Sequence, residues 1–546
     1  MKSRRKEASF RRNSSFFLQK RYYLPLLSAI LLAASLIPYH LLVTNFLFLI
    51  PLFFFIKRLD DWRDAMKGGL WFGVPLYLIS AYWFYALIRI SYFTILIYLA
   101  VVVYFSIFMT LFVLISYQFH RRWGIRFFLF APFLWIILEH VRTFGPFKLT
   151  VDHLSNSMAI YPYLIQFIDL TGPYGLTFWL ILSNALIFEA VHSFQASKRF
   201  FVYSVIVLLV ILLPSVYSLH LWKSLKFEHD LKVSLIQPNI PLEKKLNREF
   251  ASENMETIQS IVSQAVRQKP DILIWPETSF PFTVQHWIKR SPAPSLPEIS
   301  ALAQYSYTPM LVGAEYARIR TKEDYDIYNA ALLMDSGGRI LDFYGKVYLV
   351  PFVEGIPFKE LLGVKRLGRK GFLSQLGGFT PGEKLTVFEF EKRKPQFMQP
   401  EQQKGQSEGK EKVKFGTLIC YEGLYPELAR KMRKGGANFL ACITNDAWFG
   451  DTLFPRWHAR ILRMRAVENR ISVVRCGNTG ISGFCDPAGR MYQTTELFTK
   501  AIVSGLIATT NLDTFYSRYG DIILYLSYPI ILLIAFAAVI RKRPHA

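Results

Sequence analysis

Eight stretches free or nearly free of charge punctuate this chain, seven before residue 220 and one at its end, with one long polar interval between them. They are Tyr22–Tyr39, Leu41–Ile56, Gly69–Ile88, Ile90–Phe119, Phe127–Leu138, Thr171–Phe188, Phe200–Leu219 and Ile522–Ile540. A spanning helix needs about 20 apolar residues. The third, fourth, seventh and eighth runs meet that requirement easily. The second is marginal, and the fifth must continue through Glu139 and His140. The sequence therefore predicts eight spans. Ala33-Ala34-Ser35 is small enough for signal-peptide cleavage, but a long basic segment precedes the first run and another apolar run follows at once. The first run is accordingly read as a retained helix.

Basic residues fix an orientation for those spans. They crowd before run one (Lys2, Arg4, Arg5, Lys6, Arg11, Arg12, Lys20, Arg21) and between runs two and three (Lys57, Arg58, Arg63, Lys67). They recur between four and five (Arg121, Arg122, Arg126), between six and seven (Lys198, Arg199) and after run eight (Arg541, Lys542, Arg543). The alternate loops hold only Arg89, Arg142 and Lys148. The positive-inside rule reads this as both termini cytoplasmic and residues 221–520 outside the cytoplasm. Much of the net charge of +24 is then topological, so no nucleic-acid partner is expected. With 52% hydrophobic residues and four Cys, the chain is neither disordered nor a disulfide scaffold. The organisation expected is a basic N-terminus (1–21), a seven-helix membrane domain (22–220), an extracytoplasmic soluble domain (221–520), and a last helix with a basic tail (521–546).

In the soluble interval strand-like and helix-like runs alternate. Strands are expected at Leu231–Gln237, Asp271–Trp275, Pro309–Gly313, Ile327–Met334, Arg339–Tyr344, Lys414–Ile419 and Asn438–Thr444. Helices are expected at Glu249–Gln268, Leu296–Tyr305, Tyr425–Lys434 and Pro455–Asn469. That alternation predicts an α/β architecture. Glu391–Lys412, rich in Lys, Glu, Gln and Gly, reads as a polar surface insertion.

Three strand ends carry reactive groups: Glu277 after Asp271–Trp275, Lys346 after Arg339–Tyr344, and Cys420 after Lys414–Ile419. Sites in open α/β sheets gather at carboxyl strand ends. A thiol with a carboxylate base and a cation suits acyl transfer. Each residue taken alone has a plain structural reading, as Cys442, Cys476 and Cys485 do. The chain lacks G-x-S-x-G, H-E-x-x-H, C-x-x-C and a glycine-rich phosphate loop. Metal-ligand clusters are absent from the pattern, so no metal or cofactor is expected. Of the three histidines between His229 and Asn511, His458 is the one placed for a Cys–His dyad, although a packing role on its helix fits it better. Arg463 and Arg465 read as surface or ion-pair groups.

Ile274-Trp275-Pro276-Glu277, Tyr344-Gly345-Lys346 and Ile419-Cys420-Tyr421-Glu422 resemble the Glu-Lys-Cys triad of the carbon–nitrogen hydrolase (nitrilase) superfamily. With eight spans attached, nearly the whole chain is similar to that superfamily's membrane-embedded apolipoprotein N-acyltransferase family. Gln237–Pro241, Leu349–Phe352 with Glu354, Asn445–Gly450, Asn478–Ser482, Asp169–Gly172 and Ser183–Ala185 extend the likeness. The resemblance implies a periplasmic αββα sandwich on an α-helical inner-membrane domain. It implies Glu277 as general base, Lys346 as oxyanion stabiliser and Cys420 as nucleophile, supported by Glu354, Tyr421 and Glu422. Trp448, Phe352 and Phe358 would line the acyl chains. A phospholipid, typically phosphatidylethanolamine, would give its acyl group to Cys420, and the α-amine of an S-diacylglyceryl-cysteine on an apolipoprotein would take it. Two features depart from the family. No Trp follows Asn239-Ile240-Pro241 within the stretch Lys244-Lys245-Leu246, and Cys476 stands where a small apolar residue is usual. Residues near Cys420 do not separate transfer from hydrolysis, so a membrane-tethered amidase or esterase remains the second reading. A transporter fits less well, since ionisable groups mark transporter spans and these are almost bare.

Overall fold

The computed structural model describes residues 21–36, 41–88, 94–145, 150–288, 307–351, 378–392 and 411–540, with isolated positions between these segments. The membrane half contains helices α1 (Tyr23–Ser35), α2 (Leu49–Lys57), α3 (Trp62–Ser80), α4 (Thr94–Trp123), α5 (Ala131–Val141), α6 (Ile168–His192) and α7 (Ser197–Ser224). Among the described residues, α4, α6 and α7 are each long and apolar enough to cross a bilayer. α3 taken with Tyr82–Ile88, across a 49° bend, meets the same length and composition as a broken span or a re-entrant loop. The other expected runs are helical over shorter lengths: Tyr23–Ser35, Val43–Lys57, Phe128–Val141 and Ile522–Ala537. The difference has a local cause in two of them. A 3-10 turn at Val43–Phe46 leads into α2, and another at Ile125–Phe130 leads into α5, so part of each apolar run does not continue the regular helix.

Two of the family-like membrane motifs have structural work. Asn184 accepts the Leu49 N–H at 2.9 Å and donates to the Asn45 carbonyl at 2.8 Å, tying the start of α2 to α6. Gly172 breaks α6 with φ +68°, and a Cβ there would lie 2.4 Å from the Tyr516 ring. Only glycine meets both demands. One turn earlier, Asp169 accepts from Arg470 of the soluble half at 2.7 Å.

The soluble half is built from two sheets. Its elements in order are β1 (Leu231–Gln237), α8 (Ala251–Ala265), β2 (Ile272–Ile274), β3 (Val284–Trp287), β4 (Met310–Ile319), β5 (Tyr325–Met334), β6 (Ile340–Gly345), β7 (Val387–Glu391), β8 (Lys412–Ile419), α9 (Pro426–Lys434), β9 (Phe439–Thr444), α10 (Phe454–Asn469), β10 (Ser472–Gly477), β11 (Gly483–Cys485), β12 (Met491–Tyr492) and β13 (Ala501–Ile507). One sheet runs β13-β1-β2-β4-β5-β6 with β3 on β4, and the other β12-β11-β10-β9-β8-β7. The parallel strands β1, β2 and β4 lie in one sheet, and β8, β9 and β10 in the other. The expected helix Leu296–Tyr305 lies largely outside the described residues, as does the interior of the Glu391–Lys412 insertion. The insertion's ends are the paired residues Glu391 and Lys412 of the β7–β8 hairpin.

Period-two alternation sets the layers. Leu231, Val233 and Leu235 of β1, with Ile272 and Ile274 of β2, join the same core as Ile419 and Ile443 of the second sheet. Ile236, Leu273 and Trp275 face the other way and pack with Met255, Ile258 and Val262 of α8. Strands β1 and β5 lie over β10 and β8. This gives an αββα sandwich. Cys476 bridges the layers, its thiol donating to the carbonyls of Ile236 at 3.2 Å and Ile274 at 3.3 Å. Sequence alone did not mark β3, β7 or β10 to β13; of these, β3, β11 and β12 are four, three and two residues long.

Close packing also holds the loop that carries Glu277. A Cβ at Gly313 of β4 would lie 2.1 Å from the Pro276 carbonyl oxygen and 2.9 Å from the Glu277 Cα. The Gly313→Ala variant is therefore expected to lose about 1–3 kcal/mol of stability. Thermal melting in detergent measures the loss, and turnover should fall with it because Glu277 is displaced.

Candidate active site

The carboxyl ends of β2, β6, β8 and β9 meet along the seam between the sheets. Glu277, Lys346 and Glu354 are buried there. The Lys346 ammonium lies 3.3 Å from Glu277 Oε1 and 2.8 Å from Glu354 Oε2. Asn329 of β5 donates to both carboxylates at 2.8 Å, holding them on either side of the cation. The Asn445 N–H, at the end of β9, donates to Glu277 Oε2 at 2.9 Å. The Val350 N–H donates to Glu354 at 2.9 Å. Burial works against a charge on Lys346, but Glu354 and Glu277 outweigh it and hold the ammonium well above the usual lysine range. A cation so held stays charged at every working pH, as an oxyanion partner must.

Cys420 begins the 3-10 turn that ends β8 and has φ +52°. For a residue with a Cβ that is a strained conformation, of the kind that persists where the surroundings over-determine it. The thiol is half-buried. Burial raises its pKa well above the ordinary thiol value, Glu277 adds to the effect, and Lys346 opposes it. A hydrogen bond from Thr444 also favours the thiolate. The three groups expected from strand ends thus act on one another electrostatically, with burial holding the resting thiol protonated.

Glu422 joins the two sheets around this site. Its Oε1 accepts from the Tyr344 hydroxyl and the Val347 N–H at 2.7 Å each and from the Tyr348 N–H at 3.2 Å. Its Oε2 accepts from the Ile419 N–H at 2.8 Å. Burial pushes its carboxyl up to about 7 against the pull of these donors. Glu422 therefore fixes the Lys346 loop to the Cys420 turn. Tyr421 turns toward the membrane half and donates to the Lys148 carbonyl at 3.2 Å, and Tyr425 binds the same oxygen. Trp448 is half-buried in the 3-10 turn Asp446–Phe449. The neighbouring Phe449 packs at a tilt against Phe454, with ring centroids 4.1 Å apart, and meets Trp83 of the bent membrane segment at 5.5 Å. Phe352 and Phe358 lie outside the described residues.

Several residues at the site carried no motif by which sequence reading would single them out. Asn329 sits mid-strand, where a buried Asn is uncommon enough to have been a signal. Lys245, in the stretch that departs from the family, donates to the Glu277 carbonyl at 2.7 Å. Burial of its amine lowers its pKa to about 8, with Glu277 opposing. Arg465 proves to be fully buried in an ion pair with Glu468 at 2.6 Å, and Arg463 reaches the Ile160 carbonyl of the membrane half at 3.4 Å. Among the described residues, no group of three His, Cys, Asp or Glu is arranged to hold a metal.

Comparison with known proteins accords with this architecture. The carbon-nitrogen hydrolase family matches residues 232–515, and the apolipoprotein N-acyltransferase N-terminal domain matches residues 28–186. An apolipoprotein N-acyltransferase of Chlorobaculum tepidum is 28% identical, over 98% of this chain and 99% of the relative. One from Geobacter metallireducens is 31% identical, over 77% of this chain and 76% of the relative. Among solved structures, the nitrilase-superfamily member Nit3 of Saccharomyces cerevisiae aligns with 58% of this chain and 98% of its own, at 18% identity and a TM-score of 0.37. The match over residues 232–515 places the soluble half in the carbon-nitrogen hydrolase family. With its membrane half included, the chain belongs to the apolipoprotein N-acyltransferase family.

The charges around Cys420 give a test. Glu277→Gln removes a negative charge that disfavours the thiolate, so the alkylation rate of Cys420 by iodoacetamide should rise at lower pH than in the unmodified protein, while turnover is lost. An unshifted alkylation profile would separate Glu277 from the thiol.

Proposed function

We propose that this chain transfers a fatty acyl group from a membrane phospholipid, through a thioester on Cys420, to the N-terminal α-amine of the S-diacylglyceryl-cysteine of apolipoproteins. The observation that carries this reading is a strained, half-buried thiol in the field of Glu277 and Lys346, fused to a membrane half whose family match is specific for this transfer. The acyl donor of choice is phosphatidylethanolamine. The catalytic domain, within residues 221–520, faces the periplasm from the inner membrane, as the alternation of Lys and Arg along the chain supports.

The chemistry divides into two balanced steps. Glu277 takes the Cys420 proton as Sγ attacks the ester carbonyl, and the oxyanion develops beside Lys346. The tetrahedral intermediate expels the glycerol oxygen, which leaves as a lysophospholipid alcohol after Glu277 returns the proton. The thioester remains. In the second step the uncharged α-amine attacks the thioester carbonyl and Glu277 receives a proton from it. The thiolate leaves and is reprotonated, and an amide is released. Glu354 and Asn329 keep Lys346 and Glu277 in register throughout, and Glu422 keeps the Cys420 turn against the Lys346 loop. Both substrates are held in a bilayer by their acyl chains, which explains why a soluble fold of this kind would carry membrane helices.

Mass spectrometry of the protein incubated with phospholipid is expected to find a fatty-acyl adduct on Cys420, absent from Cys420→Ala. An adduct surviving in that variant would overturn the assignment. Adding a diacylated lipopeptide should yield its amide, whereas free fatty acid alone would make water the acceptor. Lys346→Ala should cost on the order of 10²–10³ in rate. A reporter fused near Gln406 should register outside the cytoplasm, and a cytoplasmic signal would reverse the orientation.

A further inference from the structure

His458 meets the backbone of Cys420. Its Nε2 lies 3.2 Å from the Cys420 carbonyl oxygen, and its Nδ1 lies 3.1 Å from Asp446 Oδ1. A backbone carbonyl only accepts, so Nε2 is the donor in the contact with Cys420. Arg475 fixes Asp446 in turn, donating to Oδ2 at 2.5 Å. Arg475 also comes within 3.4 Å of Nδ1, a longer approach than that of the carboxylate. All three side chains are buried. Burial would raise Asp446, but Arg475 and His458 hold its carboxyl down to about 2, so it is an anion throughout the working range. Three elements thereby converge on one backbone atom: α10 through His458, the turn after β9 through Asp446, and β10 through Arg475.

That atom belongs to the peptide unit joining Cys420 to Tyr421. The unit is planar and its C=O and N–H point in opposite directions. Whatever pins the carbonyl also aims the Tyr421 N–H. The same bond opposes relaxation of Cys420 from its φ of +52°. We propose that His458 is a positioning residue, whose ring, braced by Asp446 and Arg475, grips the Cys420 carbonyl and so orients the Cys420–Tyr421 peptide for attack on the acyl donor. This rests on the reading of Cys420 as nucleophile. It differs from a Cys–His dyad, because the ring nitrogen that reaches Cys420 meets its carbonyl oxygen.

The test uses the full-length protein in detergent–phospholipid micelles and reads single-turnover formation of the Cys420 thioester. His458→Ala is expected to slow acylation by about 10- to 100-fold, with the phospholipid concentration at half-maximal rate changed less than twofold. His458→Gln keeps a side-chain donor and should recover at least half of the lost rate on a logarithmic scale. The melting temperature of each variant is read alongside. Acylation by His458→Ala within threefold of the unmodified protein would overturn the proposal. So would a Gln variant as slow as Ala at equal melting temperature. If the Ala variant does not fold, the Gln variant against His458→Met, which has similar bulk and no donor, decides by the same criterion. Retained thioester formation in Cys420→Ala would instead overturn the nucleophile assignment, so the two failures are distinguishable.

Discussion

A single buried ammonium organises this molecule's chemistry. Lys346 lies between Glu277 and Glu354, and Asn329 joins the two carboxylates behind it. Two buried anions without that cation would repel each other and lose their solvation, and removing one partner of a buried pair typically costs about 3–5 kcal/mol. Burial first, and Glu277 second, keep the resting Cys420 protonated. In the proposed reaction charge separates only as the acyl group is attacked, which is where preorganised charges act with greatest effect.

The rest of the soluble half serves to bring strand ends from two sheets to that cation. Glu277 ends a strand of the first sheet and is held by the Asn445 N–H of the second. Glu422 follows β8 of the second sheet and accepts three donors from β6 of the first and the loop after it. Each carboxylate therefore works across the seam. The apolar alternation that builds the sandwich fixes the distance between layers, and these polar links fix its register at the one edge where chemistry needs it. Within the second sheet, His458, Asp446 and Arg475 meet the backbone of Cys420.

Much of this was legible in the sequence for definable reasons. Strand runs with regular apolar alternation, such as Leu231–Gln237, stood out by period, and Glu277, Lys346 and Cys420 were visible because each follows such a run. The short edge strands were not legible, since a two-residue pairing such as Met491–Tyr492 has no period to read. The partners of His458 were equally hidden. A histidine on a helix declares nothing about a carbonyl 38 positions earlier. The left-handed backbone at Cys420 is a product of tertiary constraint, for which the local sequence offers no glycine as a sign. In the membrane half, composition revealed the apolar runs but not where 3-10 turns and bends divide them, because both conformations bury the same side chains.

The phenols that flank the nucleophile turn have a consequence for how the halves depend on each other. Tyr421 and Tyr425 both end on the backbone oxygen of Lys148, in a connection between membrane helices. The Lys148 ammonium in turn lies 4.4 Å above the ring of Tyr348, in the loop that follows Lys346. One residue of the 142–167 connection therefore touches the neighbours of both Cys420 and Lys346. A displacement of that connection would reach the surroundings of both groups at once, making the helical half a mechanical input to the site.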